Sequence, residues 1–169
     1  MVGVDVMNNQ SNKAFSLQLE KLLQEYQSYS KLSYAIGIPS GTLKSWILKN
    51  RSPKIDSIDL VANRIGCFSY ELLSSGELSK LDIRDNDSRK IFVKNLNKIF
   101  IANFCHTQLQ KYTLLSNAVS NDALISYLRN KNYRKPTLEV LDKIANELNI
   151  PTFMLIKEDL FDEEKDLRQ

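Results

Sequence analysis

One histidine, one tryptophan, two cysteines, four prolines and five glycines leave several protein classes out of reach of this chain. A lone His106 gives little room for acid–base work near neutral pH. No Gly-rich phosphate loop occurs, nor a Ser/His/Asp order, nor a Cys/His pair with an orienting third group, so neither an enzyme nor a cofactor is expected. Asp56 and Asp59 follow Lys54 on a helix and read as surface. Cys67 and Cys105 make no disulfide framework and read as reduced residues of a cytoplasmic protein. Cys105-His106 falls short of a metal ligand set, so no metal is expected. Glycine and proline are too scarce for collagen-like or low-complexity classes. The longest apolar run is about four residues, against roughly 18 for a membrane span. Met1 to Asn12 lacks the basic and then apolar pattern of a secretory signal. No membrane partner is expected.

What remains is globular: 43% hydrophobic and 25% charged residues over 169 positions, with a net charge of +3. That excess permits a basic face without demanding one. Residues 13–83 carry 9 basic and 7 acidic groups and residues 92–161 carry 9 and 6, whereas the tail 162–169 carries 2 and 4. Apolar residues recur at helical spacing, as in Phe15, Leu19, Leu22, Leu23 and Tyr26, or Ile58, Val61, Ala62 and Ile65, and alternating strand patterns are nearly absent. The pattern also repeats. Phe15 and Phe92 open similar stripes, Leu19 matches Leu96, and Leu32 matches Leu109, 77 residues on. Leu43 matches Leu124 and Trp46 matches Tyr127 at an offset of 81, and Pro53 matches Pro136 at 83. The growing offset means insertions, about four residues of them before the corner of the second copy, adding about one helical turn. The expected fold is all-α, two tandem five-helix domains at 13–76 and 91–161. An extension (1–12), a polar linker (77–90) and an acidic tail (162–169) complete it.

The first copy contains a helix-turn-helix in physical terms. Ser28 can cap a helix that ends near Ile36. Gly37 can take the left-handed conformation that stops it. Ile38 plugs the corner, and Pro39 sits where the next helix begins. Leu43 and Trp46 turn one face of that helix inward, which makes Trp46 a core residue. Ser40, Gly41, Lys44 and Ser45 are left outside, able to enter a major groove. Lys49, Arg51 and Lys54 follow in the trailing loop, where phosphates are expected.

Residues 15–73 resemble the lambda-repressor/Cro-type (XRE family) helix-turn-helix domain, on the stretch Gly37 to Trp46 and the Ile58-to-Leu73 pattern. The resemblance implies five helices, with the third reading DNA, usually as a dimer on a two-fold symmetric operator. Carried over, the base-reading positions are Ser40, Gly41, Thr42, Lys44 and Ser45, and the phosphate contacts are Ser28, Tyr29, Lys49, Arg51 and Lys54. Tyr29 stands where many members hold a Gln. The second copy has no glycine at its corner, with Val119 as plug and Ser120 as cap. Its outer positions hold Asn121, Asp122, Ile125 and Ser126, and Arg129, Lys131, Arg134 and Lys135 follow. Asn121, Asp122, Ile125 and this basic loop are a candidate partner-binding patch on a degenerate copy.

The expectation is a sequence-specific DNA-binding repressor of phage or mobile-element type, acting as a homodimer on double-stranded operator DNA. An alternative is a bifunctional inhibitor, an anti-CRISPR or antitoxin, whose first domain autoregulates its gene and whose second binds a protein. A third arrangement has both copies reading one duplex from a single chain.

Overall fold

The computed structural model describes residues 10–129 and 134–158. Among the described residues are eight α-helices, two 3-10 turns and no strand, so the chain is all-α. The first half comprises α1 (Gln10–Tyr26), α2 (Tyr29–Ile36), α3 (Ser40–Ile47), α4 (Ile55–Ile65) and a 3-10 turn at Ser69–Leu73. The second comprises α5 (Ser88–Ala102), α6 (Gln108–Leu115), α7 (Asn121–Leu128), α8 (Leu138–Glu147) and a 3-10 turn at Thr152–Ile156. The same order of elements thus occurs twice. The fifth element of each half, expected as a helix, is a single tight turn. It has only two adjacent core residues to bury, Leu72 and Leu73 or Leu155 and Ile156. Among the described residues no helix is long and apolar enough to cross a membrane.

Apolar stripes place the helices. Phe15, Leu19 and Leu22 of α1, Ile55, Ile58, Val61 and Ala62 of α4, and their counterparts on α5 and α8 are all buried. They belong to one hydrophobic cluster that runs through both halves. α1 starts inside the segment read as an extension, and α5 inside the segment read as a linker. Ser11 and Ser88, at the two helix starts, are buried and bonded to Asp142 and Asp59 of the opposite half, and Asp87 caps α5 by accepting from the Lys90 N–H at 3.1 Å. The rest of 77–90 is strapped down by short polar side chains. Asn86 donates to the Asn63 side chain at 2.6 Å and to the Cys67 carbonyl at 2.9 Å, and accepts from the Ser69 N–H at 2.9 Å. The Leu81 N–H reaches the Gly66 carbonyl at 3.1 Å.

The insertions are distributed differently from the expected extra turn. α6 has eight residues, as α2 has. Two residues, Cys105 and His106, precede it, and two more widen its corner to Ser116-Asn117-Ala118. Ile36 therefore corresponds to Leu115, both buried, whereas Leu109 is 72% exposed and does not correspond to the buried Leu32. Loops absorb inserted residues without disturbing the helix register on which the core depends.

The halves meet reciprocally. The Ile55 N–H donates to the Pro136 carbonyl at 3.0 Å, and the Leu138 N–H donates to the Pro53 carbonyl at 2.8 Å. Lys54 and Thr137 sit opposite each other in an antiparallel bridge between these bonds. Ser52 accepts from the Glu139 N–H at 2.9 Å, and Lys135 pairs with Asp56 across the same seam. Two aspartates complete the seam. Asp59 accepts from Ser69 of its own half at 2.6 Å and from the Ser88 hydroxyl and N–H of the other half. Asp142 accepts from Thr152 of its own half at 2.6 Å and from Ser11 of the other. Asp56 and Asp59, read as plain surface, are thus both engaged across the seam.

Candidate nucleic-acid interface

The corner forms as its residues dictate. Ser28, in extended backbone, accepts from the Lys31 N–H at 3.2 Å and caps α2. Gly37 closes α2 at φ 71°, its N–H donating to the Ser33 carbonyl at 2.9 Å. Ile38 is buried beneath the turn. Pro39 precedes α3 and its carbonyl takes the N–H groups of Thr42 and Leu43. Leu43, Trp46 and Ile47 are buried, and Trp46 meets Phe15 edge-on with ring centroids 5.9 Å apart. That leaves Gly41 and Lys44 exposed, with Ser40, Thr42 and Ser45 half-buried beside them. The Ser40 hydroxyl donates to the Tyr29 carbonyl at 3.4 Å, which ties the start of α3 to the start of α2.

Lys49, Arg51 and Lys54 are all exposed on the trailing loop. The Asn50 and Arg51 N–H groups fold back onto the Ser45 carbonyl, so the loop stays at the end of α3. Ser28 and Tyr29 lie half-buried at the α2 start. The five positions expected to read bases therefore share α3, and the basic side chains follow it directly. Cys67 is fully buried, and burial pushes its thiol up to about 12, as suits a small hydrophobe rather than a nucleophile.

In the second half Ser120 caps α7, accepting from the Ala123 N–H at 3.3 Å, and Val119 is buried as the corner plug. Asn121 and Asp122 are exposed, and Ile125 and Ser126 are half-buried. Arg129 and Arg134 are exposed, Lys135 is engaged with Asp56, and Lys131 lies outside the described residues.

One contact was missed by the sequence reading. Gln108, first residue of α6, donates its side-chain amide to the Asn121 oxygen at 3.1 Å. Gln108 occupies on α6 the place that Tyr29 occupies on α2. Matching Leu32 with Leu109 hid this, because that register is off by two residues. The capping pattern Thr107-x-x-Gln110 marks the α6 start and was the available signal, since Thr107 accepts from the Gln110 N–H at 3.2 Å. No family model, curated protein or solved structure matches the chain.

Proposed function

We propose that the chain is a sequence-specific regulator that binds double-stranded DNA, built from two copies of a lambda-repressor/Cro-type helix-turn-helix unit and acting as a repressor of phage or mobile-element type. One observation carries the reading. α3 is an eight-residue helix with Leu43, Trp46 and Ile47 sunk in the core and Gly41 and Lys44 outside, followed by three exposed cations. A short helix held on such a corner matches the width of a major groove, and the cations then meet the backbone. Lys44 offers its ammonium to guanine O6 and N7, while Arg51 and Lys49 grip phosphates.

The test separates these roles. Lys44→Ala lowers affinity for the preferred duplex about tenfold and leaves non-specific binding unchanged, whereas Arg51→Ala weakens both duplexes about equally and flattens the salt slope by about one unit. Fluorescence anisotropy on a preferred and a scrambled duplex at several salt concentrations reads both. Equal losses on the two duplexes from Lys44→Ala contradict its assignment.

A second reading, the bifunctional inhibitor, is favoured by a different surface. Ile101, Phe104 and Leu109 are 67%, 78% and 72% exposed around the α5–α6 corner. Apolar side chains grouped on a surface suit a protein partner. Under this reading Phe104→Ser abolishes recovery of a specific protein partner by the full chain and leaves DNA retention intact.

A further inference from the structure

We infer that a single chain is the complete DNA-reading unit. It holds α3 and α7 about an internal two-fold axis and engages two unlike half-sites in inverted orientation. This rests on the proposed function and replaces the homodimer expected from sequence.

The inference comes from the seam. In a two-fold interface, if residue i meets j, then the equivalent of j meets the equivalent of i. Equivalent residues, 83 positions apart around the bridge and on α4 and α8 and 77 apart at the starts of α1 and α5, satisfy this at each step. Ile55 bonds Pro136 as Leu138 bonds Pro53. Ser52 meets Glu139 as Lys135 meets Asp56. Ser88 donates to Asp59 as Ser11 donates to Asp142. Lys54 and Thr137 are each other's equivalents and face each other, so the axis passes between them. Their backbones agree closely, at φ −80°, ψ 155° and φ −83°, ψ 163°. A second copy cannot use this face, because the other half of the same chain already fills it.

The axis leaves the molecule on a basic side. Lys54 is exposed between buried Pro53 and Ile55, and Thr137 lies between buried Pro136 and Leu138. Extended backbone alternates its side chains, so the Lys54 side of the bridge faces solvent. Arg51 and Arg134 flank it, both exposed. Asp56 and Glu139 are also near, but each is paired with a lysine, Lys135 and Lys143 respectively. Chain length allows the reading helices the reach required. Ile47 is seven residues from Lys54 and Leu128 nine from Thr137, which bounds their ends to about 25 Å and about 32 Å from the axis. Successive major-groove faces need about 17 Å on each side, half of the roughly 34 Å helical repeat.

The two readers differ in chemistry. α3 offers Lys44, which suits guanine. On α7 that position is Ile125, and the exposed groups are Asn121 and Asp122. Gln108 donates to the Asn121 oxygen, which orients the amide of this exposed residue and leaves its NH2 to donate elsewhere. An oriented amide suits adenine, and Asp122 can accept from the cytosine amino group. The first half-site is therefore guanine-bearing, and the second is read by Asn121.

The full chain is offered a random duplex pool, the retained duplexes are sequenced, and the mass of the complex is measured. The expected result is one chain per duplex on two unlike, inverted half-sites whose centres are about 10 base pairs apart, or a multiple of that. Lys44→Ala then removes preference in one half-site only, and Asn121→Ala in the other only, each at a cost of roughly tenfold. Both residues are exposed, so the variants keep the wild-type circular dichroism spectrum. Two chains on a perfect palindrome, or an Asn121→Ala variant whose selected sites match wild type, overturn the single-chain unit and leave α3 as a reader. Failure of the full chain to retain any duplex at low salt overturns the proposed function and this inference together.

Discussion

Two kinds of residue carry the local structure, and they differ in how visible they are in sequence. Ser28, Gly37 and Ile38 act on neighbours within a few positions, so their roles follow from the string itself. Gly37 has φ 71°, and a Cβ added there meets nothing within 4 Å. Gly37→Ala therefore costs conformational energy alone, about 1 kcal/mol, read as a lower urea midpoint with an unchanged slope. Gly66, at φ 85°, has its counterpart in Asn149, at φ 54°, since asparagine tolerates the left-handed region. Asp59 and Asp142 are the opposite case. Their partners across the seam lie 29 and 131 residues away, and nothing in the string joins them. Burial raises both carboxyls above the ordinary value of 3.8, against the hydrogen bonds from Ser69 and Ser88, or Ser11 and Thr152, that lower them. The folded chain thus holds these protons more tightly than the unfolded chain. Their contribution is complete below the ordinary value and is lost as pH rises through the raised one. Asp142→Asn keeps the Oδ1 acceptor and removes this loss, so relative to wild type the variant gains stability between pH 4 and pH 7. Urea midpoints at the two pH values check it, and an unchanged difference contradicts it.

At the scale of elements, helix existence was legible and register was not. Stripes such as Phe15, Leu19 and Leu22 mark α1 because period and burial agree. The starts of α1 and α5 lay outside the expected bounds: at α1 Ser11 bonds Asp142 of the other half, and at α5 the Asp87 cap on the Lys90 N–H, a signal present in the string, joins the contact of Ser88 with Asp59. The α6 register slipped for a related reason. Leucine at 109 matched the hydrophobic pattern, yet Leu115 is the residue that reaches the core. Hydrophobicity alone cannot separate an exposed leucine from a buried one, whereas the Thr107 cap can. Ser11→Ala and Ser88→Ala each remove a buried hydroxyl from a carboxylate at a helix start. Each should lower stability by about 1–3 kcal/mol in urea unfolding, far beyond an exposed control such as Ser30→Ala. Losses below half a kilocalorie would show that the seam contacts are incidental.

Across the whole molecule, the repeat in the sequence announced two similar halves but not their relation. The order helix, helix, helix, helix, 3-10 turn occurs twice. That the halves share one hydrophobic cluster and a reciprocal seam depends on residues such as Pro53 and Pro136, whose backbone carbonyls leave no trace in composition. A shared core makes the halves unfold together, so far-UV and tryptophan signals should report one coincident transition. Everything functional in this account depends on α3 projecting Lys44 toward a duplex. The most direct measurement compares the affinity of wild type and Lys44→Ala for a selected and a scrambled duplex across a salt series. The account predicts that wild type discriminates between the two duplexes, and that Lys44→Ala loses about tenfold of that discrimination while keeping its salt slope. Indifference of the wild-type chain to both duplexes, even at low ionic strength, would contradict it.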